Sequence, residues 1–343
     1  MKIFVTGGAG FIGSHFIRRW LRDNPQDFVV NVDALTYAGS SERLSDLKKS
    51  AHHRLHQADI CDAAALKPLL EGCQAVVHFA AETHVDRSIT NAAPFLRTNV
   101  EGTYNLLQIA QQAGISRFFH ISTDEVYGPV LSGSVDEKAR FAPRSPYAAS
   151  KASGDLLAQA FWETHSLPVV IARPTNVYGP GQLPEKFIPL MIANILQKRA
   201  IPIYGDGLQR RGWLFVEDLC EALSLIFKQG KSGEAYNIGS GHEQANLDTA
   251  RAVMKLLEAP ESLLSFVPDR PGHDRRYCMN DDKLKALGWK PATSFEQGLA
   301  ATVSWYQANG AWWQPLVQQL REDPYHWLNR AAGASTPQPT RSR

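Results

Sequence analysis

The sequence predicts an α/β protein, a doubly wound, mostly parallel sheet with a smaller C-terminal lobe. Three observations predict it. The first half alternates short β-rich runs with helical patterns. A glycine-rich turn joins the first strand to the first helix. After about Arg173 that rhythm breaks, and Pro and Gly become frequent. At 343 residues the chain is long enough for two lobes.

The elements follow in order. KIFVT (2–6) reads as a strand and FIGSHFIRRWLRD (11–23) as a helix. FVVNVD (28–33), HRLHQAD (53–59), AVVHFA (75–80), RFFHIS (117–122) and PVVIAR (168–173) read as further strands. Helical patterns fill the gaps, chiefly VEGTYNLLQIAQQAG (100–114) and YAASKASGDLLAQAFWETH (147–165), each ending near a Gly, His or Pro. Beyond them, EDLCEALSLIFKQG (217–230) and AYNIG (235–239) look like one more helix and strand returning to the sheet. The division expected is 1–175 for the sheet domain, with 213–240 rejoining it, and 176–212 with 241–330 for the second lobe. The low-complexity tail 331–343 is expected to be disordered. Trp305, Trp312, Trp313 and Trp327 cluster before it and are expected to pack the core or cover a helix.

Composition excludes several classes. Hydrophobic residues make up 44% and charged residues 20%, ordinary for a soluble enzyme. The net charge is +2 with Lys and Arg scattered, so there is no basic footprint for nucleic acid or an anionic membrane. No run reaches the roughly 18 apolar residues of a membrane span, and the N-terminus turns to glycine too early for a signal peptide. Cys61, Cys73, Cys220 and Cys278 are far apart, with no CxxC pair. Reduced thiols and a cytoplasmic location are expected, with no disulfide framework and no metal site.

GGAGFIG (7–13) sets Gly7, Gly10 and Gly13 between a strand and a helix. Gly7 permits the tight turn, Gly10 lets the backbone approach a pyrophosphate, and Gly13 allows close helix–strand packing. The helix N-terminus offers free N–H groups and partial positive charge to the phosphates. A glycine triad alone is weak, since many strand–helix turns are glycine-rich for packing. Asp33, closing the second strand, strengthens it: a carboxylate there accepts hydrogen bonds from a ribose diol and repels a 2′-phosphate. The expected cofactor is NAD on a Rossmann-like fold. Asp33 also has an ordinary reading as a helix cap. Asp59 and Ile60 are placed to contact the adenine, though a plain strand-end turn explains them nearly as well.

Tyr147 and Lys151 stand one helical turn apart, so both project from one face. An ammonium near a phenol lowers the phenol's pKa, which suits an acid/base in carbonyl–alcohol chemistry. YxxxK alone is a common coincidence on solvated helix faces; beside the glycine loop and Asp33 it becomes informative. Thr123, Asp124 and Glu125 follow the strand RFFHIS, at the sheet edge where open α/β folds bind ligands. A pair of solvated loop acids is the plain alternative.

These motifs resemble the extended short-chain dehydrogenase/reductase family of nucleotide-sugar enzymes. The blocks VDALTYAG (32–39), AAETHVDRSI (80–89), STDEVYG (122–128), PEKFIPL (184–190), PIYGDG (202–207) and DRPGHDRRY (269–277) are similar, in order, to its members that dehydrate dTDP-glucose. The resemblance implies dehydration of a nucleoside-diphosphate hexose to its 4-keto-6-deoxy derivative, with tightly bound NAD+ regenerated each cycle. Tyr147 would take the proton of the 4-hydroxyl, Lys151 would hold the nicotinamide ribose, and Thr123 would orient the sugar. Glu125 would abstract the carbon-5 proton and Asp124 would protonate the departing 6-hydroxyl. Adjacent carboxylates repel, which raises one pKa and leaves the other group ionised.

The resemblance further implies that Phe11, Ile12, Ala34, Leu35, Thr36, Ala80, Ala81, Thr83, Thr98 and Val177 complete the cofactor site. Thr83, His84, Asn176, Lys186, Phe187, Pro202, Ile203, Tyr204, Arg211, Asn246, Asp269, Arg270, Pro271, Gly272 and His273 would line the substrate pocket. Arg211 and His273 suit the phosphate and nucleoside end, each with an ordinary surface reading beside it. The family's usual NNYGP is NVYGP here and its RDW is RGW, so Val177 and Gly212 replace an amide and an acid. A homodimer packing 100–114 and 147–165 across a two-fold axis is also implied. A sugar-nucleotide 4-epimerase or decarboxylase is the nearest alternative, needing Tyr147, Lys151 and NAD but no second acid–base pair. A dehydratase of another nucleotide sugar and a non-catalytic NAD-binding regulator complete the set.

Overall fold

The computed structural model describes residues 1–321; the tail 331–343 and Trp327 lie outside the described residues. The sheet domain opens with β1 (Lys2–Thr6), α1 (Phe11–Asp23), β2 (Phe28–Asp33), β3 (His53–Gln57), α2 (Ala63–Leu70) and β4 (Ala75–His78). It continues through α3 (Val85–Thr90), α4 (Ala93–Leu96), α5 (Thr103–Gln112), β5 (Arg117–Ile121), α6 (Pro146–His165) and β6 (Val169–Pro174). Then follow β7 (Asn176–Tyr178), α7 (Phe187–Leu196), β8 (Ile201–Tyr204), β9 (Arg210–Phe215), α8 (Val216–Gln229) and β10 (Ala235–Ile238). The chain closes with β11 (Glu243–Ala245), α9 (Asn246–Leu256), β12 (Leu264–Val267), α10 (Asp282–Lys285), α11 (Phe295–Ala308) and α12 (Gly310–Arg321).

Seven strands form one parallel sheet in the order β10-β6-β5-β4-β1-β2-β3. From β1 the chain winds outward to β3, then returns to β4 on the other side of β1. That reversal leaves a crevice at the C-terminal strand ends. Helices cover both faces, which is why Ile3, Phe4 and Val5 are all fully buried rather than alternating in and out. One face packs Phe16, Ile17 and Trp20 of α1 with Leu219, Leu223 and Ile226 of α8. The other packs Leu66, Leu106, Leu107, Ala158 and Phe161 of α2, α5 and α6.

A third core gathers Ile192, Ile203, Trp213, Val253, Leu299 and Trp313. Fully burying a side chain of this size contributes about 1.5–3 kcal/mol. Around it lie a three-stranded sheet, β11-β9-β7, and a parallel pair, β12-β8. The short strands β7, β11 and β12 have no counterpart in the sequence reading; three or four residues are too few to show a period. Trp305 and Trp312 meet edge to face at 5.1 Å, and Trp313 is 2% exposed in the core.

One element differs from expectation. The helix expected over 100–114 begins earlier, because α4 runs into a π-helical turn, Arg97–Gly102, before α5. Asn99 anchors that turn: its side chain accepts from Glu82 N–H at 2.8 Å and donates to Glu82 O at 3.0 Å and Ser150 Oγ at 2.9 Å. A wider turn aims this side chain out of the helix at three partners.

Candidate active site

The C-terminal strand ends frame a cavity of about 1330 Å³. At one end lies the glycine turn. Gly7 has φ +70°, and a Cβ there would meet Ala80 N at 2.5 Å. A Cβ on Gly13 would stand 2.4 Å from Gly7 O, so only glycine lets α1 approach β1 this closely. Gly10 caps α1 without a side-chain hydrogen bond, and a Cβ on it would find only Gly7 O, at 3.1 Å, nearby. The bare backbone and the open first turn of α1 fit a pyrophosphate.

Asp33 ends β2 and is 7% exposed. Its Oδ2 accepts from Ala9 N–H at 2.9 Å and its Oδ1 from Leu35 N–H at 2.8 Å. Burial pushes this carboxyl up, and the two N–H groups and Arg43 pull it back. Arg43 is a neighbour that sequence reading missed. Its guanidinium donates to the carbonyls of Ala9, Ala38 and Gly181 and lies over Trp312 at 5.1 Å, so it is engaged rather than aimed at a 2′-phosphate. The residues present fit NAD: a carboxylate at the end of β2 suits a ribose diol and disfavours a 2′-phosphate.

At the other end β5 delivers the acids. Thr123 caps the short 3-10 turn Asp124–Tyr127: its Oγ1 accepts from Glu125 N–H at 3.3 Å and donates to Asp124 Oδ1 at 3.2 Å. Asp124 is 3% exposed. Burial, then the charge of Glu125, pushes its carboxyl up to about 7, against hydrogen bonds from Thr175 and Thr123 and the charge of Arg211. Burial also raises Glu125, but Arg270, Arg211 and Lys186 oppose it. Burial thus raises both carboxyls, while the charges around them differ: Glu125 faces Arg270, Arg211 and Lys186, whereas Asp124 faces the charge of Glu125 and only Arg211 against it.

Ser145 and Pro146 start α6 just before Tyr147: the Ser145 hydroxyl accepts from Ala148 N–H at 3.0 Å and proline takes the first helical position. Lys151 follows one turn on, 5% exposed, with Nζ donating to Ile121 O at 2.7 Å. Here the structure reverses an expectation. The Tyr147 phenol is pushed up, not down, by burial first and then by the charges of Glu125 and Asp124; a hydrogen bond with Thr123 opposes them. In a buried site with two acids beside it, the phenol is protonated at rest.

The cavity wall brings together Gly7, Gly10, Phe11, Ile12, Gly13, Asp33, Ala34, Thr36, Asp59, Ile60, Ala80, Ala81, Thr83, Thr98 and Val177 with Thr123, Asp124, Glu125, Tyr147, Lys151, Asn176 and Lys186. Leu35 is not on it; its backbone is left-handed, φ +52°, and its N–H turns back to Asp33. His84, Phe187, Pro202, Ile203, Tyr204, Arg211, Asn246, Asp269, Arg270, Pro271, Gly272 and His273 also lie off this wall. Ile203 is wholly buried in the third core, Phe187 stacks on Trp213 at 6.0 Å, and His84 caps α3.

The charged members reach the site through its field. Arg270 donates to Asp86 Oδ1 at 2.8 Å, where Tyr204 OH donates to Oδ2 at 3.0 Å. Arg211 donates to the carbonyls of Arg210 and Asp274 at 2.7 and 2.8 Å and covers the Tyr277 ring. His273 Nδ1 meets Asp269 Oδ1 at 2.6 Å. Lys186 donates to Thr83 O at 2.9 Å and Thr83 Oγ1 at 3.3 Å. Thr175, which sequence reading passed over beside Asn176, opposes the rise of the Asp124 carboxyl, and its hydroxyl donates to Gly212 O at 3.3 Å. Glycine at 212 is what admits that hydroxyl, since a Cβ there would stand 2.9 Å from it.

Known proteins resemble this chain in sequence and fold. The family model for GDP-mannose 4,6 dehydratase matches residues 4–302. A dTDP-glucose 4,6-dehydratase of Streptomyces niveus is 48% identical over 321 residues, covering 92% of this chain and 96% of that one. The crystal structure of DesIV, a dTDP-glucose 4,6-dehydratase of Streptomyces venezuelae with NAD bound, superposes with a TM-score of 0.91 at 47% identity, covering 92% of this chain and 100% of the other. A UDP-glucose 4-epimerase of Thermus thermophilus in complex with NAD matches with a TM-score of 0.83 at 28% identity, covering 90% and 100%.

Proposed function

The chain belongs to the GDP-mannose 4,6-dehydratase family, and from that premise we propose that it is an NAD-dependent hydro-lyase converting dTDP-glucose to its 4-keto-6-deoxy derivative. The observation that carries this reading is the Thr123–Asp124–Glu125 turn, which presents two carboxylates in unlike fields to the cavity that also holds Tyr147. Epimerisation at carbon 4 has no use for that pair.

When bound, NAD+ would accept the hydride leaving carbon 4 and, so reduced, would return it to carbon 6. Gly7, Gly10 and Gly13 would bear its pyrophosphate and Asp33 its ribose. Tyr147 takes the proton of the 4-hydroxyl, with Thr123 holding that oxygen beside the phenol and Lys151 favouring phenolate. The 4-ketone acidifies the carbon-5 hydrogen. Ionised Glu125 removes that proton, and protonated Asp124 gives its own to the oxygen leaving carbon 6, so one water is lost. Carbon 5 is then reprotonated. Two acids in opposite protonation states serve both ends of one elimination. Lys186, on the cavity wall, would meet the diphosphate side of the substrate, and with Arg211 and Arg270 it opposes the effect of burial on Glu125.

A homodimer through α5 and α6 completes the proposal, supported by the exposed Tyr104 and Leu156 on those helices. The four cysteines are free thiols, as suits a cytoplasmic protein. Purified protein incubated with dTDP-glucose is expected to yield a product lighter by one water and absorbing in alkali as a 4-keto sugar. No product from any nucleoside-diphosphate hexose would overturn the reading; size-exclusion chromatography tests the dimer.

A further inference from the structure

The second lobe meets the cofactor end of the cavity through the loop 179–182, and that loop is held carbonyl by carbonyl. Pro180 O accepts from His15 Nε2 on α1 at 3.0 Å. Gly181 O accepts from Arg43 Nε at 3.3 Å. Gln182 O accepts from the Tyr306 hydroxyl on α11. Tyr306 fixes the loop within its own lobe, whereas His15 and Arg43 reach it from the sheet domain.

Arg43 grips two further segments as well. It lies on the 3-10 turn Ser41–Leu47 after β2, and its Nη1 donates to Ala38 O at 2.7 Å and to Ala9 O at 3.3 Å. Ala9 belongs to the glycine turn, where Asp33 Oδ2 holds its N–H and Ser40 N–H also donates to its carbonyl, at 3.0 Å. On the second lobe, Trp312 of α12 lies against the guanidinium at 5.1 Å and meets Trp305 edge to face. One planar fork therefore ties the glycine turn, the loop after β2 and the second lobe, and it uses two separate nitrogens to do so. Arg43 itself stands behind the cavity wall. The residues beside its three carbonyls, Gly10, Gly39 and Gln182, are on that wall.

We propose that Arg43 is a positioning residue for the dinucleotide: by pinning the loop 180–182 to the glycine turn, it holds two walls of the cofactor channel together and slows the cofactor's release. A dinucleotide running from Asp33 past the glycine turn to Tyr147 would lie between Gly10 and Gln182, so parting these walls opens its way out. Arg43 touches neither dinucleotide nor sugar. The inference rests on the reading that NAD stays bound through the cycle. A merely structural role, docking α12 on the sheet domain, predicts a lower melting temperature with an unchanged rate of cofactor exchange.

The test is exchange of bound NAD against excess isotopically labelled NAD, followed by rapid gel filtration well below the Tm of each protein. Arg43→Met keeps the stem beside Trp312 and removes the fork. It is expected to exchange NAD about tenfold faster than the unaltered protein, the order of effect of losing a charged hydrogen-bond donor. Turnover of dTDP-glucose lost to emptied sites is expected to return when NAD is added, with the KM for the sugar unchanged. Arg43→Lys keeps the charge but offers one nitrogen in place of two, and its exchange is expected to be about threefold faster than that of the unaltered protein. An unchanged exchange rate in Arg43→Met overturns the proposal, whatever happens to the Tm. If Arg43→Met does not fold, Arg43→Lys decides alone, and an unchanged rate there overturns it. An unaltered protein that retains NAD yet dehydrates no nucleotide sugar defeats the dehydratase reading and leaves the exchange test in force; one that holds no NAD defeats both.

Discussion

The two ends of the cavity are built in opposite ways. The dinucleotide end comes from chain neighbours, a glycine turn and the end of the next strand, and it works through backbone N–H groups and missing Cβ atoms. The sugar end is gathered from Thr123–Glu125, Tyr147, Thr175, Lys186, Arg211 and Arg270, which no local segment unites. It works through charge. Backbone recognition can be encoded locally, since a tight turn is a property of consecutive residues. An acid–base pair cannot, because each pKa depends on which distant cations and how much apolar surface the fold brings up.

The contrast would break most visibly at Glu125. Glu125→Gln is expected to slow elimination by about 10²- to 10⁴-fold while carbon-4 oxidation persists, so reduced nicotinamide builds up in a stopped-flow trace. Equal loss of both steps would remove Glu125 from the carbon-5 position. At the other end, Gly13→Ala sets a Cβ 2.4 Å from Gly7 O. It is expected to cost about 1–3 kcal/mol of stability and to loosen NAD, read by thermal unfolding and by the cofactor retained through gel filtration. An unchanged Tm would show that the turn can relax, making this end less dependent on glycine than its geometry implies.

Acidity sharpens the comparison further. The Asp124 carboxyl is raised to about 7, and the role proposed for it is to give up a proton, so the form that role needs is lost as pH rises through that value. The elimination rate is expected to fall about tenfold per unit above it, and Asp124→Asn to be slow and flat across the same range. A wild-type rate that climbs above pH 7 would assign the leaving-group proton to another residue. The smallest effect is expected at Asp33. Its replacement by Asn keeps the shape but removes the charged acceptor, weakening NAD by roughly tenfold and narrowing the preference over NADP, measured by titration of the cofactor-free protein.

Much of this was legible in the chain. The alternation of strands and helices, the GxxGxxG turn, Asp33 and the YxxxK spacing are short-range patterns, and short-range sterics enforce them. The resemblance carried the acid pair. What stayed hidden were Arg43 over the glycine turn, Asn99 anchoring a π turn, Thr175 beside Asp124 and Asp155 paired with Arg173. Each is an unremarkable polar residue in the sequence, and each matters for partners brought close only by folding. The Tyr147 phenol shows the same limit. Its spacing to Lys151 argues for a lowered pKa, while the folded surroundings raise it.

The sequence by itself determined the fold class, the dinucleotide turn and the kinds of chemical group available, because those follow from residue type and short spacing. Only the tertiary structure decided how far burial raises each acid, which cation opposes which carboxylate and which carbonyl holds the Lys151 ammonium. These depend on burial and through-space distance, which the order of residues along the chain does not contain.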